Sequence, residues 1–270
     1  MISFPPAKIN LGLQIIASRS DGFHDLQTIF YQIPLKDILE ILPAQNSNLG
    51  FCSFKSSGLS IPPGQNLCEK AYQILHKRYN LPGINIHLHK IIPMGAGLGG
   101  GSSDATHTLM ILNDMFNLML SYDELIQISL DLGSDCPLFL NGSPKYAEGR
   151  GDILQIIDLN LKGMNLLLVN PNIHISTAKA FSNIVPLQVD SCLNIINKKP
   201  KEWKLNLKND FENVLFAEFE QLKRIKETLY NMGAVYASMT GSGSSIYGLF
   251  LENIPKNKWP SDYFLWQTKL

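Results

Sequence analysis

The first predicted element is a strand of alternating polarity near the start of the chain. Between residues 7 and 17, apolar residues alternate with polar or small ones. The apolar positions are Ile9, Leu11, Leu13 and Ile15, and the positions between them are Lys8, Asn10, Gly12 and Gln14. A period of two predicts a strand with one buried face and one polar face. The pattern alone therefore favours a solvent-facing Lys8.

Helical and strand periods follow along the rest of the chain in no regular order. Helices are predicted at 67–79, 102–116, 121–133, 176–181 and 211–232, and strands at 84–89, 166–169, 234–240 and 245–251. Asn66 is a suitable N-cap for the first helix, and Ser121 with Glu124 predicts a capping box for the third. Strands and helices without regular βα alternation predict an α+β fold.

The pattern dissolves into turns over residues 154–161. We place a domain boundary there, near residue 155, which divides the chain into residues 1–155 and 156–270. A chain of 270 residues is long enough for one large domain or two of ordinary size.

Composition excludes several classes of protein. The chain is 45% hydrophobic and 17% charged, which excludes wholesale disorder. Lys plus Arg and Asp plus Glu both number 23, so the basic excess of a nucleic-acid-binding protein is missing. The basic cluster from Lys198 to Lys204 is predicted to be a solvated loop.

Features of secreted and membrane proteins are also missing from the sequence. The cysteines are Cys52, Cys68, Cys136 and Cys192, with no CxxC pair among them, which favours reduced thiols over a zinc site or a disulfide framework. The amino terminus has no basic region followed by a long apolar run, and no window is apolar enough for a membrane helix. We therefore expect a cytoplasmic protein with no signal peptide and no membrane partner.

The most informative segment is rich in glycine and lies between a predicted strand and a predicted helix. It consists of Pro93, Met94, Gly95, Ala96, Gly97, Leu98, Gly99, Gly100, Gly101, Ser102 and Ser103. Glycines let backbone N–H groups crowd around an anion, and a following helix adds the positive end of its dipole. This context favours a phosphate-binding loop over a flexible linker.

The two commonest phosphate loops do not fit this segment. Gly95, Gly97 and Gly100 satisfy G-x-G-x-x-G, but a dinucleotide site also needs a βαβ unit and an acidic residue about 20 residues later. Here a second helix follows the first. The GK[ST] of the P-loop is missing from the segment.

Two charged residues are candidates for catalysis. Lys8 lies in the first strand, and Asp135 stands before Cys136-Pro137, where an aspartate is most often part of a turn. Transfer of a phosphoryl group to a hydroxyl needs a carboxylate that accepts the proton and a cation that balances the spreading charge. Lys8 and Asp135 have that chemistry, but spacing alone does not bring them together.

Three segments in order resemble the motifs of the GHMP kinase superfamily. These are Pro5-x-Ala7-Lys8-x-Asn10-Leu11, the glycine-rich segment, and Thr240-Gly241-Ser242-Gly243. Within that superfamily, Asp21-Gly22-Phe23-His24-x-Leu26-x-Thr28 and Gly133-Ser134-Asp135-Cys136-Pro137 resemble the 4-diphosphocytidyl-2-C-methyl-D-erythritol kinases of the non-mevalonate isoprenoid pathway. The resemblance covers nearly the whole chain.

The resemblance implies a fold and an activity. It implies two domains, an amino-terminal ATP-binding domain over 1–155 and a carboxy-terminal GHMP kinase domain over 156–270, with the active site in the cleft between them. It implies ATP as phosphoryl donor, Mg²⁺ bound with ATP, and the 2-hydroxyl of 4-diphosphocytidyl-2-C-methyl-D-erythritol as acceptor. The expected partners are thus small molecules.

The resemblance also implies residue roles. Asp135 matches the catalytic base, and Lys8 matches the lysine beside it. Asn66 and Lys90 match positions near the adenine, and the glycine-rich segment holds the phosphates. The acceptor-binding positions are Asn10, Phe23, His24, Phe181, Gly241 and Ser242, with Phe181 as the aromatic wall facing the cytosine-binding pair Phe23 and His24. The sequence identifies neither the magnesium ligands nor an oligomeric state.

Some positions depart from the family pattern. Phe23 stands where the family usually has Tyr, and Thr106 and His107 stand where small residues are common. Two alternatives stay open: a GHMP kinase of another substrate, such as homoserine or a mevalonate-pathway intermediate, and a noncatalytic nucleotide-binding protein of the same fold. The Asp21–His24 segment disfavours the first, and Lys8 with Asp135 disfavours the second.

Overall fold

A computed structural model describes residues 1–45, 49–62, 64, 66–181, 184–186 and 190–270. The strands are β1 Ile2–Ser3, β2 Pro6–Ser18, β3 His24–Lys36, β4 Ile38–Pro43, β5 Cys52–Gly58, β6 Ile84–Lys90, β7 Lys145–Glu148, β8 Ile153–Ile156, β9 Asn165–Asn170, β10 Tyr236–Met239, β11 Ile246–Phe250 and β12 Phe264–Lys269. The α-helices are α1 Leu67–Tyr79, α2 Gly100–Met115, α3 Tyr122–Leu130, α4 Thr177–Phe181, α5 Cys192–Ile196, α6 Pro200–Asn206, α7 Phe211–Glu218 and α8 Glu220–Asn231. A 3-10 helix spans Cys136–Leu140.

The chain forms two compact units, each built from several segments. Unit 1 comprises Met1–Ala7, Leu35–Met94 and Gly99–Gly142. Unit 2 comprises Lys8–Pro34, Gly95–Leu98 and Ser143–Leu270. The expected division of the chain into residues 1–155 and 156–270 stays a prediction.

Unit 1 packs helices on one face of a four-stranded sheet of order β1-β4-β6-β5. Only the β5–β6 pair in this sheet is parallel among the described pairings. Its core joins the inward residues of β4 and β6, among them Leu39 and Ile86, to Tyr72 of α1 and Leu109 of α2. This core supports the end of β6, which precedes the glycine-rich segment, and the start of α2, which contains the last residues of that segment.

Unit 2 contains two four-stranded sheets. Their strand orders are β2-β3-β7-β8 and β10-β11-β9-β12. The described pairings within β10-β11-β9-β12 are antiparallel. A core that includes Leu13, Val169, Phe211 and Leu229 joins β2, β9, α7 and α8. The two units together give the α+β class that the sequence predicts.

Several sequence predictions are confirmed at the level of single elements. The predicted strand over 7–17 is β2, and the predicted helix 67–79 is α1, with Asn66 Oδ1 accepting from the Glu69 N–H at 3.0 Å. The capping box of Ser121 and Glu124 is present at α3. The helix after the glycines begins at Gly100 rather than at the predicted Ser102.

The predicted helix 211–232 is wrong in one respect, because it is broken at Phe219. Phe219 has φ −116° and ψ 73°, and its N–H donates to Leu215 O at 2.7 Å to close α7. α8 then begins at Glu220 and buries Leu222, Ile225 and Leu229. Apolar residues continue on both sides of the break, so periodicity does not reveal it.

Two segments predicted to lack regular structure form elements. Residues 153–156, which overlap the region 154–161 assigned to turns, are the edge strand β8. Ile153 and Ile156 in this strand are both exposed, so the strand has no alternation of buried and exposed residues. The Lys198–Lys204 cluster is not a loop. Pro200 occupies the first turn of α6, a position proline favours, and Trp203 is buried.

The sequence predicts reduced thiols and no membrane helix, and the structure bears on both expectations. All four cysteines are free thiols. Over the residues that the structure describes, no helix is both long enough and apolar enough to cross a bilayer.

Candidate active site

Lys8 is buried in unit 2, with 3% of its surface exposed. Its Nζ donates to Asn10 Oδ1 at 2.6 Å and to the main-chain oxygen of Gly97 at 2.8 Å. The Lys8 N–H donates to Leu98 O at 2.9 Å. The solvent-facing position favoured by the strand pattern is therefore wrong, because the polar face of β2 is covered by the glycine-rich segment.

Asn10 is the centre of a buried hydrogen-bond network in the same unit. Its Nδ2 donates to Thr28 Oγ1 at 2.9 Å, and its Oδ1 accepts from Lys8. Thr240 Oγ1 lies 3.2 Å from Asn10 Oδ1 and 3.0 Å from Gly97 O, and it accepts from the Asn10 N–H. Residues from all three motifs are thus joined by hydrogen bonds.

The segment Gly95–Leu98 lies directly against the loop after β10. A Cβ built on Gly97 would lie 2.0 Å from Thr240 O, and Gly97 has φ +75°. A Cβ on Gly241 would lie 3.2 Å from Gly97 O and from Lys8 Nζ. The Ser245 N–H also donates to Ala96 O at 3.2 Å. Glycine is therefore required at position 97 both for the backbone conformation and for this close approach.

The other half of the glycine-rich segment lies in unit 1 and starts α2. Gly99, at φ +69°, is the N-cap and has no side chain to satisfy the first N–H groups of the helix. Ser103 Oγ is buried and has no hydrogen-bond partner among the described residues. The first N–H groups of a helix have no partner within the helix, and together with the helix dipole they make this end of α2 suitable for an anion.

A cavity of about 320 Å³ lies beside the start of α2 within unit 1. Its lining includes Ile61, Pro62, Gly64, Asn66, Leu67, Cys68, Leu88, Lys90, Met94, Gly101 and Asp104. Mostly apolar walls with a few polar groups are typical of a small-molecule site. Both residues expected near the adenine, Asn66 and Lys90, line this cavity.

Lys90 is more deeply buried than a nucleotide-contacting side chain needs to be. Its side chain is 1% exposed, and Nζ donates to Asp37 Oδ2 at 2.5 Å and to Asp104 Oδ2 at 2.7 Å. The lysine thus bridges two buried carboxylates. Its predicted place near the adenine stays a prediction.

Asp135 is half-buried in unit 1, immediately before the 3-10 helix. Thr106 Oγ1 of α2 lies 2.8 Å from the main-chain oxygen of Cys136, the next residue, and 2.9 Å from Ser102 O. Thr106 therefore fixes the backbone beside Asp135 to the helix that follows the glycines. Because Lys8 belongs to unit 2, the pairing of Asp135 with Lys8 stays a prediction.

The predicted acceptor-binding aromatics lie together in unit 2. His24 and Phe181 stack with ring centroids 4.9 Å apart and an interplanar angle of 24°, and Phe181 meets Phe211 edge-on at 4.7 Å. Phe23 is 54% exposed, with the Arg150 guanidinium 4.9 Å from its ring centroid. The exposed Phe23 excludes a core-packing role for that ring.

The His24–Phe181 stack changes one expectation. A flat ring between two others needs centroids about 7 Å apart, twice the usual carbon–carbon contact distance. The observed 4.9 Å leaves no space for a base between His24 and Phe181. The predicted role of Phe181 as the wall facing a base bound on Phe23 stays a prediction.

Gly241 and Ser242 are held in place by neighbours that sequence reasoning missed. Asn209 Nδ2 donates to Gly241 O and to Met239 O, both at 2.9 Å. Ser242 Oγ lies 3.4 Å from Thr177 Oγ1. Asn209 precedes α7 in a stretch that matches no motif, so no sequence signal pointed to it.

Comparison with known proteins identifies the family of the chain. Residues 66–143 match the family model of the GHMP kinases N terminal domain, and residues 194–258 match that of the GHMP kinases C terminal. A 4-diphosphocytidyl-2-C-methyl-D-erythritol kinase of Azobacteroides pseudotrichonymphae genomovar. CFP2 is 52% identical over 254 residues, which are 93% of each chain. The chain belongs to this kinase family.

Two further proteins of the 4-diphosphocytidyl-2-C-methyl-D-erythritol kinase family are similar to nearly all of the chain or to all of it. The protein of that name from Bacteroides fragilis is 46% identical over 275 residues and covers 100% of both chains. A crystal structure of 4-(cytidine 5'-diphospho)-2C-methyl-D-erythritol kinase aligns with a TM-score of 0.79 at 29% identity, covering 92% of this chain and 90% of that one.

The structure accounts for two departures from the family pattern. Thr106 anchors the main-chain oxygen of Cys136. His107 Nδ1 lies 2.6 Å from Ser3 Oγ, and burial lowers the pKa of His107 to about 4, so the ring is neutral at pH 7. Both side chains are therefore accommodated inside this member of the 4-diphosphocytidyl-2-C-methyl-D-erythritol kinase family by specific partners.

Proposed function

We propose that this protein transfers the γ-phosphoryl group of ATP to the 2-hydroxyl of 4-diphosphocytidyl-2-C-methyl-D-erythritol. The observation that carries the proposal is the buried cluster in which Lys8 binds both Asn10 and Gly97. It joins a cation to the segment suited to phosphate and to the side chain expected near the acceptor. The identity of 46% to 52% with kinases named for this substrate supports the choice of acceptor.

The glycine-rich segment binds the phosphates of ATP in this proposal. Gly95 to Leu98 and the first N–H groups of α2 supply backbone donors, and the apolar cavity lined by Asn66 takes the adenine. Magnesium enters as part of the MgATP substrate, since Mg²⁺ is commonly held by substrate phosphates and one or two protein oxygens. The interdomain position of the site stays a prediction.

Lys8 and Asp135 carry the chemistry. Asp135 accepts the proton of the acceptor hydroxyl as that oxygen forms its bond to the γ-phosphorus. The bond from the γ-phosphorus to the β,γ-bridging oxygen breaks, and ADP leaves with the electron pair. Lys8, held by Asn10 and Gly97, supplies positive charge where negative charge develops in the transition state.

The cytidine end of the acceptor is recognised by aromatic rings. Phe23 is exposed enough to stack on the base, and His24 follows it. Phe181 forms the opposite wall. Asn10, Gly241 and Ser242 border the methylerythritol end, next to Lys8.

The test is release of ADP by the purified protein with a panel of acceptors. The panel contains 4-diphosphocytidyl-2-C-methyl-D-erythritol, methylerythritol 4-phosphate, mevalonate and homoserine. We expect turnover with the first alone, and a new phosphomonoester signal in the ³¹P spectrum of the product. Turnover with mevalonate or homoserine would assign another GHMP activity, and ATP binding without turnover on any acceptor would favour a noncatalytic protein.

A further inference from the structure

A buried ionic triad flanks the glycine-rich segment on both sides. It consists of Asp37, between β3 and β4; Lys90, the last residue of β6; and Asp104, in the second turn of α2. All three side chains are at most 3% exposed, and Lys90 Nζ donates to both carboxylates. All three residues belong to unit 1.

The triad holds the backbone that enters the segment. Asp37 Oδ1 accepts from the N–H groups of Ile91 and Ile92 at 2.6 and 2.9 Å, while Oδ2 accepts from Lys90. These two residues directly precede Pro93. One carboxylate therefore fixes both the lysine and the chain that follows it.

The triad also holds the helix that leaves the segment. Lys90 reaches Asp104 by passing the start of α2, where a Cβ on Gly100 would lie 2.9 Å from Nζ. The lack of a side chain at Gly100 thus leaves space for the Lys90 side chain. The Lys90 ammonium group therefore joins Ile91–Ile92 to α2, because it binds Asp37 on one side and Asp104 on the other.

Charge excludes a direct role for the Lys90 ammonium on a phosphate. Its one positive charge faces two carboxylates at hydrogen-bond distance, so the triad presents no net positive charge to an anion. Asp104 Oδ1 has no hydrogen-bond partner in the described part of the chain. Burial of these three charged groups costs free energy, and attraction of phosphate does not account for that cost.

We propose that Asp37, Lys90 and Asp104 are positioning residues, which set the separation of the two flanks of the glycine-rich segment and thereby its affinity for ATP. This inference rests on the proposed function, in which that segment binds ATP. Lys90 acts on the nucleotide through Asp104 and the start of α2, and not as a charge in contact with phosphate.

Two substitutions at Asp104 separate this role from general stabilisation. Asp104→Asn keeps the shape and an oxygen that accepts from Lys90. Asp104→Leu cuts the link to α2 but leaves Lys90 and Asp37 as a balanced pair, so the fold should survive. Asp114→Ala, at an exposed acid near the other end of α2, is the matched control.

Binding of ATP, binding of the cytidine acceptor and backbone hydrogen exchange are measured on all four proteins. We expect Asp104→Leu to weaken ATP binding by roughly tenfold to a hundredfold, as misplaced binding groups do. Asp114→Ala should stay within about twofold of wild type, as expected for a harmless change. Asp104→Asn, which keeps an oxygen for Lys90, should lose less ATP affinity than Asp104→Leu and keep wild-type exchange at residues 91–104. Acceptor affinity should hold in every variant. Exchange should quicken in Asp104→Leu at residues 91–104 and not in α8.

Several results would overturn the inference. Unchanged ATP affinity in Asp104→Leu would do so, and so would equal losses for ATP and acceptor with faster exchange throughout. If Asp104→Leu does not fold, Asp104→Asn decides alone, since a tenfold loss of ATP affinity there with unchanged exchange at residues 91–104 contradicts positioning. If wild type does not bind ATP, the proposed function fails, and exchange confined to residues 91–104 still tests the triad.

Discussion

The ammonium group of Lys8 donates a hydrogen bond of 2.8 Å to the main-chain oxygen of Gly97. This bond ties the first strand of the chain to the glycine-rich segment across 89 residues of sequence. Since Asn10 Oδ1 binds the same ammonium group, the charge of Lys8 is fixed in one position. A fixed charge of this kind is suited to stabilising a transition state.

Replacement of Lys8 by Met should therefore lower turnover far more than ATP affinity. We expect kcat to fall by about 10²–10³-fold, the usual loss for one preorganised electrostatic group. Turnover and calorimetric ATP binding are measured on the same preparation. Weaker ATP binding with intact turnover would make Lys8 a ground-state ligand instead.

Gly97→Ala should disrupt the site. The new Cβ would lie 2.0 Å from Thr240 O, and the residue would have to keep φ +75°. We expect kcat/KM for ATP to drop by more than about tenfold, because displacement of this backbone moves both the segment and Lys8. Gly142→Ala is the control, since a Cβ there meets no atom within 4 Å. Equal activity in the two variants would show that the close approach is unimportant.

Phe23→Ala should raise the acceptor KM and leave ATP binding unchanged. Stacking on a base is worth about 1–3 kcal/mol, so the expected rise is roughly 5- to 150-fold. The melting temperature should change little, because the ring is 54% exposed. Phe23→Tyr, the residue the family usually has, should be tolerated. A large stability loss with unchanged preference between substrates would contradict stacking.

Asp104→Asn should alter the pH dependence of stability. Burial raises the pKa of Asp104 to about 7, from about 3.9 in an unfolded chain. A raised carboxyl pKa means that the folded state binds more protons, so wild-type stability falls as pH rises from about 4 to about 7. The free energy of unfolding of the variant, relative to wild type, should rise across that window and level off above it. Parallel curves for the two proteins would contradict the raised pKa.

Local patterns predicted most of the elements that carry the site. The alternation around Ile9 and Leu11 predicted β2, and Asn66 marked the start of α1. These features depend on neighbours in sequence, which a single sequence shows directly. The motifs also contain Lys8 and Gly97, whose residue types indicate a cation and a close backbone approach.

Features that depend on distant residues could not be predicted in this way. Lys8 is buried because the segment around Gly97 covers it, and Asn209 matters because it holds Gly241. The stack of Phe181 on His24 also joins residues far apart in the chain. Alternation assigns a face to a side chain but does not reveal what covers that face.

The rate of phosphoryl transfer in an Asp135→Asn variant tests the proposed mechanism most directly. The amide keeps the shape of the side chain and cannot accept the hydroxyl proton. With ATP and 4-diphosphocytidyl-2-C-methyl-D-erythritol both bound at wild-type affinity, we expect a single-turnover rate about 10²–10⁴-fold below wild type. A variant that binds both ligands and keeps more than about half of the wild-type rate would contradict Asp135 as the general base, since loss of a base costs at least about a hundredfold.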